Sequence, residues 1–305
     1  MAFCRLGYLP RPSELGICVI LRDQVLITDR RQAEGQAEGD PVMAENLKGY
    51  IALITGGSSG LGFEMAKQLL SQEATVIIAA RGGDKLNNAK ERLSAFGDVH
   101  AVAMDVTDEG SVSDAASLVG FGFDHLDMVV CNAGIGRNAP GMETVPEEHQ
   151  FFDIPVSTFK AVIDTNFAGY FIVAKYFVPI MLKQGHGSLV YVSTSNATMT
   201  RAGQIPYGPS KAGAEAMSVI LDEELKDLGI MVNVIGPGGF TDTGMALERD
   251  KEFRRRNDMP ILQPTVLNRV ISFLASPASA GIHGQKIIGK DFDEWLKEKD
   301  IVFEG

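Results

Sequence analysis

The chain has 305 residues, 45% of them hydrophobic and 22% charged, with a formal charge of −11. That balance suits a globular chain with a sizeable core, and it works against a nucleic-acid binder, which needs a basic face, or a protein drawn to anionic membranes. Three cysteines, Cys4, Cys18 and Cys131, supply neither a disulfide framework nor paired zinc spacing, so no metal is expected and a reduced, cytoplasmic setting is the simplest account.

Residues 1–42 differ from the rest of the chain: a short apolar run at 15–21 leads into the low-complexity tract Gln32-Ala33-Glu34-Gly35-Gln36-Ala37-Glu38-Gly39. The run is far below the roughly 20 residues of a membrane span, and no small-residue cleavage site comes after it. It is expected to be an extension and linker. Met43 opens a more ordinary start and competes with Met1 as the point where translation begins, which N-terminal sequencing of the native protein separates. Residues 43–305 are expected to form one domain with a C-terminal tail.

From Tyr50 onward short apolar runs alternate with helical stretches, and the runs at 50–55, 75–80, 99–104, 126–131, 188–192, 231–235 and 285–288 are strand candidates. Continuously apolar, β-branched runs of this length suit strands buried on both faces, with the amphipathic segments between them as parallel crossovers. The expected fold class is α/β, a doubly wound parallel sheet. In such a sheet ligands bind at the carboxyl ends of the strands, where strand order reverses.

The first run passes directly into Thr55-Gly56-Gly57-Ser58-Ser59-Gly60-Leu61-Gly62, followed by a helix-forming stretch at 63–70. Glycines let a pyrophosphate approach the backbone, and the helix N-terminus offers free N–H groups, so Gly56, Ser58, Ser59, Gly60, Leu61 and Gly62 are candidate dinucleotide contacts. After the second strand an acidic residue would address the ribose 2′-hydroxyl of NAD(H), whereas an arginine can take a 2′-phosphate. Here Arg81 follows Ala80, which favours NADP(H) over NAD(H), the competing reading being a solvated loop arginine. Further on, Tyr207 and Lys211 stand one helical turn apart at the head of a helical stretch at 212–226. A cation near a phenol lowers its pKa, which makes a general acid/base for near-neutral pH; the bland reading is an ordinary helix-surface pair.

Taken together, residues 47–288 resemble the short-chain dehydrogenase/reductase family. The nucleotide turn matches that family's TGxxxGxG, Asp105-Val106 its adenine-side dipeptide, and Asn132-Ala133-Gly134 its NAG motif, with Cys131 where an extra Asn is usual. Asn166 matches its helix asparagine, Tyr207 and Lys211 its YxxxK, and Pro237-Gly238 its PG turn beside the nicotinamide. The resemblance implies a Rossmann-like fold and a proton exchanged by Tyr207 with a carbonyl or alcohol oxygen. It also implies that Lys211 lowers the tyrosine pKa and holds the ribose, that Asn166 and a water lead to solvent, and that the molecule is a homodimer or homotetramer.

Four departures limit the match. The family's spacing to the tyrosine, about thirteen residues, selects Thr194 as the substrate-polarising hydroxyl, but Ser195 is one closer and stays open. The turn after Pro237 reads Gly238-Gly239-Phe240-Thr241-Asp242-Thr243, one residue longer than usual, so Thr241 or Thr243 could meet the carboxamide. The segment 135–152, with Pro140, Gly141 and Pro146, is long and is a candidate substrate wall. The tail from Ile287 to Trp295 replaces the family's VDGG and either closes the pocket or packs between subunits.

Five scattered histidines, His100, His125, His149, His186 and His283, lack ligand spacing, and the aromatic run from Phe167 to Phe177 is expected to be a buried helix face. The leading reading is therefore an NADP(H)-dependent oxidoreductase acting on a small-molecule carbonyl or secondary alcohol. The alternatives are an NAD-linked alcohol dehydrogenase of the same family and a non-catalytic nucleotide-binding redox sensor, the latter disfavoured by Asn166, Tyr207 and Lys211.

Overall fold

The computed structural model describes residues 46–145 and 149–304. The expected extension at 1–42, the start at Met43 and Pro146 lie outside the described residues. Seven parallel strands form a single sheet: β1 (Ile51–Thr55), β2 (Thr75–Ala80), β3 (Val99–Ala103), β4 (Met128–Cys131), β5 (Gly187–Val192), β6 (Ile230–Gly236) and β7 (Lys286–Ile288). Their order is β3-β2-β1-β4-β5-β6-β7. The chain winds outward from β1 in one direction and, from β4, in the other. The reversal between β1 and β4 opens the crevice where ligand-binding residues collect in such sheets.

Burial follows the period of the pleat. Ala52, Ile54, Val76, Ile78 and Val130 face one core, while Leu53, Ile77, Val129, Cys131 and Tyr191 face the other. Helices α1 (Gly60–Ser71), α2 (Asp84–Leu93), α9 (Asn268–Ala275) and α10 (Phe292–Glu298) contribute to the first core. Helices α3 (Glu109–Gly122), α5 (Gly169–Gln184) and α7 (Tyr207–Leu225) contribute to the second. This is why the central strands read as largely apolar runs.

Three further helices are α4 (Val156–Ile163), α6 (Asn196–Met199) and α8 (Glu248–Arg256). Between α4 and α5 a π-helical turn, Asp164–Ala168, carries the buried Asn166. The run 156–184 is long and apolar enough to cross a membrane. Here it is the crossover between β4 and β5, and its Tyr170, Val173 and Phe177 are buried in the second core. The aromatic stretch therefore forms a core face as expected, except that Phe171 points outward and is half exposed.

Beyond β7 the tail turns back over the first core, where Phe292 and Trp295 of α10 and Phe303 pack around Phe273 with ring centroids 5.4–5.7 Å apart. The tail thus covers its own subunit's helix α9. At its start the Lys290 N–H donates to the Pro237 carbonyl at 3.3 Å.

Candidate functional site

The β1–α1 connection is shaped by glycine. Gly56 and Gly60 hold φ values of +67° and +59°, in the left-handed region that side chains disfavour. At Gly62 an added Cβ would lie 2.5 Å from Asn132 Nδ2 and 2.7 Å from the Gly56 carbonyl oxygen, closer than any real contact. Helix α1 then starts with Ser59 extended and not capping, and with no acidic residue in the first turn. Its N–H groups and dipole are left to an outside anion. A cleft of about 350 Å³ opens there, lined by Ser59, Gly60, Phe63, Arg92, Thr243 and Lys251. Arg92, which the sequence did not single out, lies over the Phe63 ring at 4.4 Å.

Past the end of β2, Arg81 is exposed and makes no hydrogen bond or ion pair among the described residues. The backbone cradle, the uncapped helix end and an unengaged arginine fit a dinucleotide, with the pyrophosphate against Gly56 to Gly62. Asp105, after β3, closes a local turn by accepting from Thr107 N at 2.9 Å and Thr107 Oγ1 at 2.7 Å. Val106 is buried against the start of α5, close enough that a Cβ on Gly169 would sit 3.0 Å from Val106 Cγ2.

The NAG residues brace the turn. Thr55 Oγ1 accepts from Asn132 N at 2.9 Å and Ala133 N at 3.0 Å, and it donates to Val130 O at 3.2 Å. The Asn132 side chain donates to Thr55 O at 2.9 Å and Gly56 O at 3.4 Å, so its amide holds the shape of the cradle. Gly134 is the close-approach point, since a Cβ there would lie 3.2 Å from Asn166 Oδ1 and 3.6 Å from Lys211 Nζ. Asn166 grips Ile135 through both its backbone groups, accepting from N and donating to O at 2.8 Å each, and donates to Ser210 Oγ at 3.0 Å. It thereby joins the segment after β4 to α7.

Helix α7 begins at Tyr207 itself, five residues earlier than the helical composition of 212–226 suggests, which puts Tyr207 and Lys211 on one face. The Thr194 hydroxyl is near enough to the Tyr207 phenol to favour its ionised form. Ser195 does something else: its hydroxyl caps α6, accepting from Thr198 N at 3.2 Å and meeting Thr198 Oγ1 at 3.0 Å. The two hydroxyls left open by spacing thus have different surroundings. The segment after β4 also reaches this point, because a Cβ on Gly136 would meet Met245 Sδ at 3.2 Å and Tyr207 Cδ2 at 3.3 Å.

Lys211 is buried, and its ammonium donates to Tyr170 Oη at 2.9 Å and Val192 O at 2.8 Å. It lies 4.7 Å from the Tyr170 ring and 6.0 Å from that of Tyr207. Burial lowers its pKa to about 7, with Cys131 and Glu215 opposing. Burial likewise pushes the Tyr207 phenol up to about 12, with the nearby Thr194 hydroxyl opposing. This corrects the expected lowering of the tyrosine pKa by its lysine. In the protein alone both groups are dominated by desolvation of their charged forms, and the ammonium is engaged by Tyr170 and a carbonyl. Tyr170 is thus a member of the site that its place in an apolar helix concealed.

The turn after β6 is fixed from behind. Gly238 has φ +88°, and a Cβ there would lie 2.5 Å from both Ile288 Cγ2 and Lys290 Cγ, so the tail packs directly on the Pro237-Gly238-Gly239 turn. Of the two threonines, Thr241 donates its hydroxyl to Gly239 O at 3.1 Å and forms a bridge with Leu262, whereas Thr243 lies beside Gly60, where an added Cβ would come within 3.4 Å of it. Among the described residues no group of three or more His, Cys, Asp or Glu side chains could hold a metal ion.

Comparison with known proteins agrees with this geometry. Residues 50–253 match the family model described as short chain dehydrogenase. The 3-oxoacyl-(acyl-carrier-protein) reductase FabG of Thermotoga maritima is 32% identical over 251 residues, covering 80% of this chain and 97% of that protein. The 2-dehydro-3-deoxy-L-rhamnonate dehydrogenase (NAD(+)) of a Sphingomonas species is 31% identical over 199 residues, 65% of this chain and 75% of that protein. Among solved structures, a short-chain type dehydrogenase/reductase from Mycobacterium marinum matches with a TM-score of 0.71 at 26% identity, covering 82% of this chain and 97% of that one.

Proposed function

The chain belongs to the short-chain dehydrogenase/reductase family and is an NAD(P)-dependent oxidoreductase, and from that premise we propose that it uses NADP(H) to interconvert a small-molecule carbonyl and its secondary alcohol. The observation that supports this most is Tyr207 on one face of α7 with buried Lys211, whose ammonium lies 6.0 Å from its ring, and with the Thr194 hydroxyl near its phenol. Two neighbouring hydroxyls are placed to share a substrate oxygen. Thr194 holds that oxygen, and Tyr207 gives it a proton in the reducing direction or takes one in the other. Lys211 holds the nicotinamide ribose, and Asn166 with a water carries the proton onward to solvent. Bound nicotinamide supplies the hydride chemistry.

Gly56 to Gly62, Asp105-Val106, Ala133-Gly134 and Pro237 to Thr241 line the cofactor's path in this reading, and exposed Arg81 takes the 2′-phosphate. Residues 43–305 act as one cytoplasmic domain that assembles as a homodimer or homotetramer. The exposed Phe159, Phe171, Val219 and Ile220 on α4, α5 and α7 support assembly.

A second reading, an NAD(H)-linked dehydrogenase, is favoured by the name of the Sphingomonas relative. Binding titrations of NADPH and NADH separate the two readings. NADPH is expected to bind tighter, and Arg81→Ala to weaken NADPH by about 10-fold while leaving NADH unchanged, the loss of one charge-assisted contact. Tighter NADH binding by the parent would refute the assignment of Arg81. Turnover of a carbonyl panel, monitored by oxidation of the reduced nicotinamide, tests the activity itself; no turnover with either cofactor would overturn it.

A further inference from the structure

One charged group near the site has no part in the proton and hydride chemistry. Glu215 lies one helical turn beyond Lys211 on α7 and is only 19% exposed. Its Oε1 accepts from Ser193 Oγ at 2.5 Å, and its two oxygens meet Lys286 Nζ of β7 at 2.8 and 2.9 Å. The same ammonium donates to Asn196 Oδ1 at 2.7 Å. Two of these anchors therefore fall on the residues that bracket Thr194 and Ser195, one immediately before Thr194 and one immediately after Ser195.

That placement matters because of where the sheet ends. Ser193 N–H donates to Ile235 O at 2.8 Å, continuing the β5–β6 ladder one residue past β5, and α6 begins at Asn196. Between them Thr194 is carried on a two-residue bridge, so its position depends on what holds the two ends. Ser193 is buried and its hydroxyl is held by Glu215; Asn196 is held by Lys286. A half-buried ion pair is a poor device for stability, since desolvation offsets most of the attraction and apolar residues of similar volume would serve as well. Holding a turn in one register is what such a pair does better.

We propose that Glu215, paired with Lys286, is a positioning residue that fixes the turn 193–196 and so sets where the Thr194 hydroxyl lies beside Tyr207. The proposal rests on the roles assigned to Thr194 and Tyr207 under the proposed function. The negative charge one turn from Lys211 also opposes the effect of burial on that ammonium, which is consistent with a place in the same assembly.

The test is a double-mutant cycle of parent, Glu215→Ala, Thr194→Ala and the double variant, with kcat for a carbonyl from the panel and Kd for NADPH measured on each. Glu215→Ala is expected to lower kcat about 10- to 100-fold, as misplacing a reacting group does, with Kd changed less than about 2-fold. In the Thr194→Ala background the same substitution should cost less than about 3-fold, because a residue that acts through Thr194 has nothing left to position. Glu215→Gln keeps an oxygen for Ser193 and should recover part of the loss. If Glu215→Ala does not fold, Lys286→Met carries the same cycle.

An unchanged kcat in Glu215→Ala, or losses that multiply fully in the double variant, would overturn the proposal. Tyr207→Phe is measured alongside. If it is inactive while Glu215→Ala is not, only the positioning role falls; if it turns over like the parent, the reading of the site falls and this inference with it.

Discussion

At the β1–α1 end of the cleft the candidate site is made of backbone, and at the β5–α7 end it is made of side chains. The first end consists of two left-handed glycines and a third, Gly62, with no room for a Cβ, braced by Thr55 and Asn132. The second end consists of Tyr207, Thr194, Lys211, Tyr170 and Asn166, packed closely enough that burial moves the two titrating groups in opposite directions, Tyr207 up to about 12 and Lys211 down to about 7. A backbone cradle is broken by adding atoms and a side-chain cluster by removing them. Binding and chemistry should therefore be separable by mutation.

Gly62→Val tests the first end and carries the largest expected effect. Its side chain would collide with Asn132 and with the Gly56 carbonyl, a backbone group that cannot swing away. Overpacking of this kind typically costs about 1–3 kcal/mol or more of stability. Dinucleotide binding should fall below detection by calorimetry even where the protein remains folded by circular dichroism. Retained affinity would mean that the cradle is not where the pyrophosphate lies.

At the other end, Thr194→Ala should lower kcat about 100-fold, in the range for loss of one oxyanion-type donor, with dinucleotide affinity unchanged. Ser195→Ala should leave kcat within a few-fold and instead reduce stability by about 1 kcal/mol through loss of the α6 cap. Steady-state kinetics and thermal melts on the pair read both. The reverse pattern would restore Ser195 as the polarising group.

A further effect expected is on stability against pH. Lys211 has a folded pKa of about 7 against an ordinary 10.5, so between those values the unfolded chain holds a proton that the folded chain does not. Its contribution therefore rises with pH across that window, on the order of 1 kcal/mol per unit, and is flat below it. Lys211→Met should remove that slope, and denaturant titrations of parent and variant from pH 7 to pH 10 compare the two. A parent curve parallel to the variant's would show that Lys211 is not desolvated.

The same division between backbone and side chains governs how much was legible in the sequence. All seven strands were readable to within one or two residues, because strands of a parallel sheet appear as short, largely apolar runs. The glycine turn was readable because its constraint is local. Tyr170 was not, because its partner Lys211 is 41 residues away and its own helix reads as plain core. The Glu215–Ser193–Lys286 cluster joins positions 22 and 71 residues apart, which no periodicity encodes. Thr194 and Ser195 could not be separated by spacing, since a turn can present either neighbour and only its capping contacts reveal which is engaged. The pKa of Tyr207 was anticipated with the wrong sign, because proximity of a cation can be inferred from spacing but burial cannot.

The separation of binding from chemistry is tested most directly by Tyr207→Phe, with NADPH affinity and carbonyl turnover measured on the same preparation. The account predicts a kcat lower by roughly 10²–10⁴-fold with an unchanged dissociation constant. Turnover equal to the parent, or a loss of activity matched by an equal loss of affinity, would contradict it.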